Sequence, residues 1–358
     1  MRIARDGAMH VAAVARQTGI LSNYDPRMPA YYPYCPPGSD CSQRANWNQV
    51  ALSEKVQVAQ LDLTPDGHPR LLLQTAEQPP AGRGNASFWY AECDPECTDP
   101  GNWSMIDLIE TGIIDDSYWE RPNHSFALDP RGRPRFVFGE GAVVYASCDE
   151  RCTEVHTDPA TGARVAVNWS GTLLARGLYG TQRALAFTSD GQPRLGALMY
   201  DPSESLFTVD YLECHSRCDD AAQWSQITLT PRGKAPESIS RRIDGSDRVG
   251  IALTGSGSAF YYQCPAACSN LGNWNGTTWP GLTPVQDADL AFDRQNRPHL
   301  ALRSSGGGAG WGLWHVWCVR RLREHRRLDG SRGRRRGRAA TSAAVATAIQ
   351  LSALWLDG

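Results

Sequence analysis

The strongest constraint on the fold is a cysteine signature with five complete copies along the chain. In each copy a Tyr-x2-Cys segment is followed by a second cysteine and then by a tryptophan. The stretch FWYAECDPECTDPGNWS at residues 88–104 shows the commonest form, Tyr-x2-Cys-x3-Cys-x5-Trp. First cysteines fall at positions 35, 93, 148, 214, 264 and 318, so the spacing is about 50 to 66 residues. A period of this length indicates a repeat architecture.

A second signature precedes the cysteine pairs and supplies the remaining strands. It is a short apolar run, an Asp/Gly turn and another apolar run, as in LDLTPDGHPRLLLQ at residues 61–74 and FALDPRGRPRFVFG at residues 126–139. Alternating apolar residues, aromatic and β-branched enrichment and Gly/Pro/Asp punctuation are typical of strands rather than helices. Each repeat is therefore predicted to hold four strands: two around the Asp/Gly turn, one with Tyr-x2-Cys and one with the tryptophan.

Four short antiparallel strands per repeat predict an all-β chain folded as a β-propeller. We expect about six four-stranded blades, with seven as the alternative. A row of separate β-sandwiches is disfavoured, because about 55 residues are too few for one sandwich. The predicted repeats cover residues 1–54, 55–110, 120–175, 176–230, 235–285 and, as an incomplete copy, 286–318.

The paired cysteines favour structural disulfides over metal or redox sites. A zinc site needs four ligands around one ion, whereas each repeat supplies two cysteines, and a redox pair is usually a single Cys-x2-Cys beside a helix. A bridge across the turn between the third and fourth strands explains every copy, so one disulfide hairpin is expected per blade. No metal and no cofactor is expected. The predicted bridges are Cys35–Cys41, Cys93–Cys97, Cys148–Cys152, Cys214–Cys218 and Cys264–Cys268.

The cysteines and the charge also bear on location and partners. Five disulfides predict an oxidising compartment, namely the extracellular space, the periplasm or the cell surface, with a cytosolic protein with reduced thiols as the alternative. No apolar signal-peptide segment follows Met1, so we expect the signal peptide to be missing from this chain. The net charge of -2 and the lack of an apolar run of about 18 residues predict neither nucleic-acid binding nor membrane insertion. We expect a monomer.

Residues 319–358 depart from the repeat in composition. They form an Arg-rich and then Ala-rich tail, and Cys318 lacks the second cysteine that the repeat requires. A basic tail for nucleic acid and a disordered extension are two interpretations. A third is out-of-frame translation of a sixth blade, because a frame advanced by one base turns CTG codons at Leu322 and Leu328 into cysteine and tryptophan codons at the expected spacing. Sequencing the gene across these codons tests that hypothesis.

The combined pattern resembles a family of secreted bacterial repeat proteins. An apolar strand, an Asp-x2-Gly-x-Pro turn followed by Arg or His, a second apolar strand and Tyr-x2-Cys-x3-Cys-x5-Trp are similar to their sialidase-like or lectin-like propeller repeats. The resemblance covers roughly residues 1–318. It implies a secreted location and a propeller fold, and its motifs are specific for the blade rather than for an activity.

We expect the binding or catalytic site to be formed by loops that lie together on one face of the ring, around its central channel. Our first interpretation is a non-catalytic binding or adhesion propeller that recognises a glycan or a surface protein. The ligand-binding candidates are Trp119, Arg121, His124, Tyr179, Arg183 and Arg241.

A sialidase-like or other glycoside hydrolase is the alternative, and a purely structural repeat protein is the third interpretation. A hydrolase of this kind needs arginines for a carboxylate, and two carboxylic acids or a tyrosine nucleophile near the sugar. Tyr118, Glu120 and Asp287 are the catalytic candidates. The sialidase pattern Ser-x-Asp-x-Gly-x2-Trp is absent from the sequence.

Two sets of residues recur once per repeat and allow a binding and a structural interpretation. Basic residues that open the second strand either form a ring of cations for an anionic ligand or pair with the acidic Asp/Gly turn. The tryptophans after the cysteine pairs either stack on sugars or pack between blades. Repetition in every blade favours the structural interpretation of both sets. The sets are His10, Arg70, Arg135, Arg194, Arg248 and His299, and Trp47, Trp103, Trp169, Trp224 and Trp274.

Overall fold

The structure of the protein is a computed structural model. Its regular structure is β-sheet with short 3-10 turns, and no helix in the described ranges has the length and apolar character of a membrane span. The structure describes residues 1–14, 29–53, 56–77, 84–114, 124–139, 142–160, 162, 164–176, 179–201, 206–230, 236–255, 258–279, 285–306, 310–318 and 349–355.

Each blade is an antiparallel sheet whose strands follow one another in the chain. Six such sheets are described, so the propeller predicted from the repeats is confirmed, with six blades. Blade 1, whose second strand is split, holds β1 (Arg2–Ile3), β2 (Met9–His10), β3 (Ala13–Val14), β4 (Ala30–Cys35) and β5 (Asn48–Ser53). Blade 2 holds β6 (Val56–Leu63), β7 (Pro69–Glu77), β8 (Gly84–Glu92) and β9 (Ser104–Ile114).

Blade 3 carries an additional two-stranded hairpin between its third and fourth strands. It holds β10 (Phe126–Leu128), β11 (Pro134–Phe138), β12 (Ala142–Cys148), the hairpin β13 (Val155–Thr157) and β14 (Arg164–Ala166), and β15 (Trp169–Arg176). Blade 4 holds β16 (Tyr179–Phe187), β17 (Pro193–Asp201), β18 (Leu206–Cys214) and β19 (Trp224–Thr228). Blade 5 holds β20 (Pro236–Ile243), β21 (Val249–Gly255), β22 (Ser258–Cys264) and β23 (Asn275–Trp279). Blade 6 holds β24 (Val285–Phe292), β25 (Pro298–Gly306), β26 (Gly310–Cys318) and β27 (Ile349–Trp355).

The Asp/Gly turn between the first two strands of a blade is set by one carboxylate and one glycine. In blade 3, Asp129 Oδ1 accepts the backbone N–H of Arg131 at 2.9 Å and that of Arg133 at 3.1 Å. Gly132 then takes a φ of 80°, which residues with a side chain seldom adopt. The turn thereby fixes the antiparallel register of β10 with β11.

Two turns replace that glycine with a residue that reaches the neighbouring blade. Asp247 and Asn296 both have a φ of 59°, a region that Asp and Asn enter more readily than most residues. Asp247 accepts hydrogen bonds from the backbone N–H and the hydroxyl of Ser189 at 2.7 and 2.6 Å, which joins blade 5 to blade 4. Asn296 Oδ1 accepts the N–H of Gly245 at 3.0 Å, which joins blade 6 to blade 5.

The space between successive blades is filled by apolar side chains. The rings of Phe88 in blade 2 and Phe136 in blade 3, for example, lie with their centroids 5.6 Å apart. Polar contacts join the first strands directly, since Gln60 Oε1 accepts the N–H of Phe126 at 3.0 Å. The first strands β1, β6, β10, β16, β20 and β24 therefore lie around the central channel of the ring.

All five predicted disulfides are present, each in the hairpin between the third and fourth strands of its blade. Their Cα atoms are 5.7 to 6.0 Å apart, within the normal range for a bridge. The bridges are Cys35–Cys41, Cys93–Cys97, Cys148–Cys152, Cys214–Cys218 and Cys264–Cys268.

Blade 6 takes its fourth strand from the segment predicted to be a tail. The backbone of β27 pairs antiparallel with that of β26 from Gly312↔Trp355 to Cys318↔Ile349. Residues 319–348, which hold all the arginines of this segment, lie outside the described residues. The repeat boundaries and the out-of-frame hypothesis stay predictions.

Candidate functional site in the central channel

Five charged or titratable side chains from four blades and the entry to a fifth meet in the channel. We call Arg2, Asp62, His124, Arg242 and Asp289 the channel cluster. Arg2 Nε lies 2.7 Å from Asp62 Oδ1. Arg242 Nη2 and His124 Nε2 lie 3.3 and 3.9 Å from Asp289 Oδ1. His124 belongs to blade 3 and Asp289 to blade 6, which are opposite in a ring of six, so this last approach crosses the channel.

The two carboxylates of the cluster are held by backbone and hydroxyl donors. Asp62 Oδ2 accepts the N–H of Leu128, in the next blade, at 2.9 Å. Asp289 Oδ1 accepts the N–H of Leu290 at 2.8 Å and the hydroxyl of Ser240, in the preceding blade, at 3.0 Å. Neighbouring strands therefore fix the direction of both acids.

Asp289 is the member of the cluster that is most open to solvent. Its side chain is 56% exposed, against 22% for Arg242 and 20% for His124. Burial raises the pKa of Asp289, but the Arg242 cation and the hydrogen bonds from Ser240 and Leu290 act the other way and leave it below its usual value. Asp289 is therefore an ionised acceptor at neutral pH.

His124 is held in its neutral form. Burial and, next to it, the Arg242 cation together lower the pKa of His124 to about 4 against the opposing effect of Asp289. Among the described residues, His124 Nε2 has no hydrogen-bond partner. A neutral imidazole nitrogen donates or accepts according to its tautomer, so His124 offers the channel one uncharged polar atom.

Protonation of His124 is expected to lower the thermal stability of the protein in acid. Because its folded-state pKa of about 4 lies below the ordinary value of 6.5, the unfolded chain takes up the proton first. The stabilising contribution is complete above pH 6.5 and is lost as the pH falls toward 4. We expect His124→Asn to reduce the slope of melting temperature against pH in this window. His156→Asn, at an exposed site in β13, should keep the parent slope, and an unchanged slope in His124→Asn would contradict the assignment.

Of the residues predicted from the sequence to bind a ligand, His124 lies in the channel. The catalytic candidate Asp287 in β24 forms an ion pair with Arg303 in β25. No three His, Cys, Asp or Glu side chains come together as a metal site in the part of the chain that the structure describes. The following lie outside the described residues: Tyr118, Trp119, Glu120, Arg121 and the side chain of Tyr179.

Arg183 and Arg241 lie between blades. Arg183 Nη2 donates to the carbonyl oxygen of Gly139 in blade 3, and Arg241 Nε donates to that of Ala184 in blade 4 at 3.0 Å. Burial lowers the pKa of Arg183 to about 10 and places that of Arg241 well below its ordinary value. These contacts link neighbouring blades, and a ligand-binding role for either arginine stays a prediction.

Four members of the channel cluster are not among the residues that the sequence singled out. Arg2, Asp62 and Arg242 occupy one equivalent position of the first strand, as their pairing with the second strand shows. The other blades have alanine there, at Ala127, Ala186 and Ala291. Charge at a position that is otherwise alanine is the signal that an alignment of the repeats would have given.

Four of the five repeated tryptophans pack between blades in the described part of the chain. Trp224 Nε1 donates to the carbonyl oxygen of Cys218 at 3.0 Å, and its ring meets Tyr145 of the preceding blade edge-on with centroids 5.2 Å apart. The phenol rings at these contacts are buried, so the structure supports packing rather than stacking on sugars. The same pair recurs as Tyr32 with Trp103, Tyr90 with Trp169 and Tyr211 with Trp274.

The basic residues that open the second strands contact the third strand and the cysteine hairpin. Arg194 Nη1, for example, donates to the carbonyl of the first cysteine of its blade at 3.1 Å, and its Nε lies 3.5 Å from Glu213. The expected pairing with the Asp/Gly turn occurs in blades 3 and 6, where Arg135 lies 3.5 Å from Asp129 and His299 lies 3.3 Å from Asp293. Arg248 does not belong to this set. Gly250 takes the equivalent position, and Arg248 pairs with Asp244 of its own turn at 2.5 Å.

Comparisons with known proteins add similarity of fold. No protein-family model matches the chain, and no curated protein matches it in sequence. An α-L-arabinanase of Penicillium chrysogenum complexed with arabinobiose is 13% identical at a TM-score of 0.47, covering 87% of this chain and 90% of that one. The polysaccharide lyase Uly1 is 14% identical at 0.46, with 86% and 74% covered.

A third solved structure, a mutant of NanB sialidase from Streptococcus pneumoniae, is 11% identical at a TM-score of 0.25. The match covers 88% of this chain, which spans about half, 48%, of that structure. All three scores lie below 0.5, so neither the activity nor the site of these proteins is transferred to this chain.

Proposed function

We propose that this protein is a propeller that binds a glycan in its central channel without cleaving it. The supporting observation is the exposed Asp289 carboxylate between the Arg242 guanidinium and neutral His124. The carboxylate accepts hydrogen bonds, the guanidinium donates them, and the imidazole does one or the other. Sugar hydroxyls both donate and accept, so a glycan satisfies this arrangement better than an apolar protein surface.

A sialidase-like or other glycoside hydrolase is the second candidate, because Asp62 and Asp289 supply two carboxyl groups to one channel. Such enzymes protonate the leaving group with a carboxylic acid whose pKa is raised. The pKa of Asp289 is lowered instead, and Asp62 is bound by Arg2 and by the N–H of Leu128. These two observations favour binding over catalysis.

The proposed location is outside the cytosol. Five disulfides are characteristic of proteins in the extracellular space, the periplasm or at the cell surface. A glycan-binding role agrees with such a location, where surface polysaccharides are available.

The test is glycan-array binding by the parent protein, followed by titration of the best neutral glycan into Asp289→Asn. The variant keeps the shape of the side chain but removes the charged acceptor. Hydrogen bonds to a charged group contribute about 1.5–3 kcal/mol, so we expect the dissociation constant to rise by about 10-fold or more.

Asp66→Asn is the matched control, because Asp66 is an exposed aspartate in the turn between β6 and β7. It should bind as the parent does. Equal losses in both variants, or no bound glycan in the parent, would exclude the channel as a glycan site. Release of shorter sugars by the parent but not by Asp289→Asn would establish the hydrolase instead.

A further inference from the structure

A second cavity adjoins the channel between the Asp/Gly turns of blades 5 and 6. Its volume is about 550 Å³, within the range of small-molecule sites. We call it the blade 5–6 pocket. Residues that line it include Arg242, Ile243, Asp244, Phe292, Asp293 and Arg294. Arg242 also belongs to the channel cluster, so the pocket borders the channel site.

Both carboxylates of the pocket are already bound within their own turns. Asp244 Oδ1 accepts the N–H groups of Ser246 and Arg248 at 2.8 and 3.1 Å, and its Oδ2 accepts Arg248 Nε at 2.6 Å. Asp293 is bound in the same way by its own turn and by Arg297. The two acids are therefore neutralised and offer little repulsion to an incoming anion.

The cations of the pocket are less fully matched. Arg294 is exposed and has no carboxylate partner among the described residues. Arg242 Nη2 approaches Asp289, which also accepts a hydrogen bond from Ser240. Arg242 Nη1 donates to the carbonyl oxygen of Arg241 at 3.0 Å, and 22% of the Arg242 side chain is exposed. Arg294 therefore presents a cation with no carboxylate partner among the described residues, beside a site suited to hydroxyl groups.

The second residue of the turn between the first two strands differs from blade to blade, and it is an arginine in blade 6, at Arg294, and in blade 1, at Arg5. Arg294 directly follows the aspartate of its turn, and Pro130 occupies the same place after Asp129 in blade 3. Proline cannot donate a hydrogen bond, whereas a guanidinium forms paired hydrogen bonds with a carboxylate or a sulfate. Phe292 and Ile243 supply an apolar wall against which the C–H groups of a sugar ring can pack.

We propose that the glycan bound by this propeller is anionic, with a carboxylate or sulfate group on Arg294 and Arg242 in the blade 5–6 pocket and hydroxyl groups on Asp289 and His124 in the channel. This inference rests on the proposed function, which it extends by naming the class of sugar. The shared guanidinium of Arg242 joins the two halves of the site.

The test compares charged and neutral forms of the same sugars by titration calorimetry at low and high salt. The probes are oligogalacturonate with its methyl ester and dextran sulfate with dextran, which separate carboxylate from sulfate recognition. We expect one anionic probe to bind about 10-fold more tightly than its neutral form at 50 mM NaCl, since a charge-assisted contact is lost in the neutral form. The preference should shrink at 500 mM NaCl, where charges are screened.

Arg294→Gln should remove the preference for the anionic probe while leaving binding of the neutral probe unchanged. Arg131→Gln, at an exposed arginine of the blade 3 turn, is the matched control and should keep the preference. If the neutral forms bind as tightly as the anionic ones, or if both variants behave alike, the anionic assignment is wrong although the glycan site stands. If no probe binds and the array is also blank, the glycan site itself is wrong.

Discussion

Reduction of the five disulfides is expected to lower the free energy of unfolding by about 10 kcal/mol. Each bridge closes a loop with a sequence separation of 4 to 6 residues, for which the loop-entropy model gives about 2 kcal/mol. A typical domain has a free energy of unfolding of about 5–15 kcal/mol. The fully reduced protein is therefore expected to lose most or all of its stability. Urea unfolding with and without reductant, followed by circular dichroism, measures the difference.

A single bridge provides the graded control. The double substitution of Cys93→Ser with Cys97→Ser removes one loop closure and is expected to cost about 2 kcal/mol while the other four bridges remain. Sequential loss of bridges should therefore give sequential loss of stability. Equal urea midpoints for the oxidised and the fully reduced protein would show that the blades are held by packing alone.

Replacement of Trp224 by alanine is expected to lower the free energy of unfolding by about 3 kcal/mol, the lower end of the range for large aromatic residues in cores, because Trp224 is partly buried. The change removes the edge-on contact with Tyr145 and the hydrogen bond to Cys218 together. Trp224→Phe keeps a ring and loses the indole N–H, so it should cost less. Thermal and urea unfolding under oxidising conditions separate the two contributions.

Leu271→Ala is the matched control for this substitution. Leu271 lies in a cysteine hairpin of the same kind, but 53% of it is exposed. Surface changes of this sort usually alter stability by less than about 0.5 kcal/mol. If Trp224→Ala lowered the free energy of unfolding no more than Leu271→Ala does, Trp224 would not stabilise the contact between blades. The interpretation of the tryptophans as surfaces that stack on sugars would then be favoured.

The propeller and its disulfides could be predicted because the information for them is local and repeated. An Asp/Gly turn such as that at Asp129 and Gly132 fixes its own strand pair, and Cys148 and Cys152 face each other across one hairpin. Because the pattern has five copies, an uncertain strand assignment in one copy can be resolved by comparison with the others. The number of blades then follows from the number of repeats.

The channel cluster could not be predicted in the same way, because its members come from distant parts of the chain. His124 and Asp289 approach each other only through closure of the ring. Arg248 directly follows its turn, so the sequence alone places it in the set of basic residues, and strand pairing shows that Gly250 takes the equivalent position. Arg241 is fully buried although its type favours the surface.

The edge-on pair of Tyr145 and Trp224 has an evolutionary consequence. Blades 2, 3 and 4 each contribute a tyrosine to such a pair on one side and a tryptophan to such a pair on the other. A gene segment of one period therefore encodes two complementary half-interfaces, wherever within the period its ends fall. Duplication or loss of such a segment within blades 2 to 4 changes the number of blades but leaves the Tyr–Trp junctions matched, so unequal recombination can alter the size of the ring and keep the existing contacts.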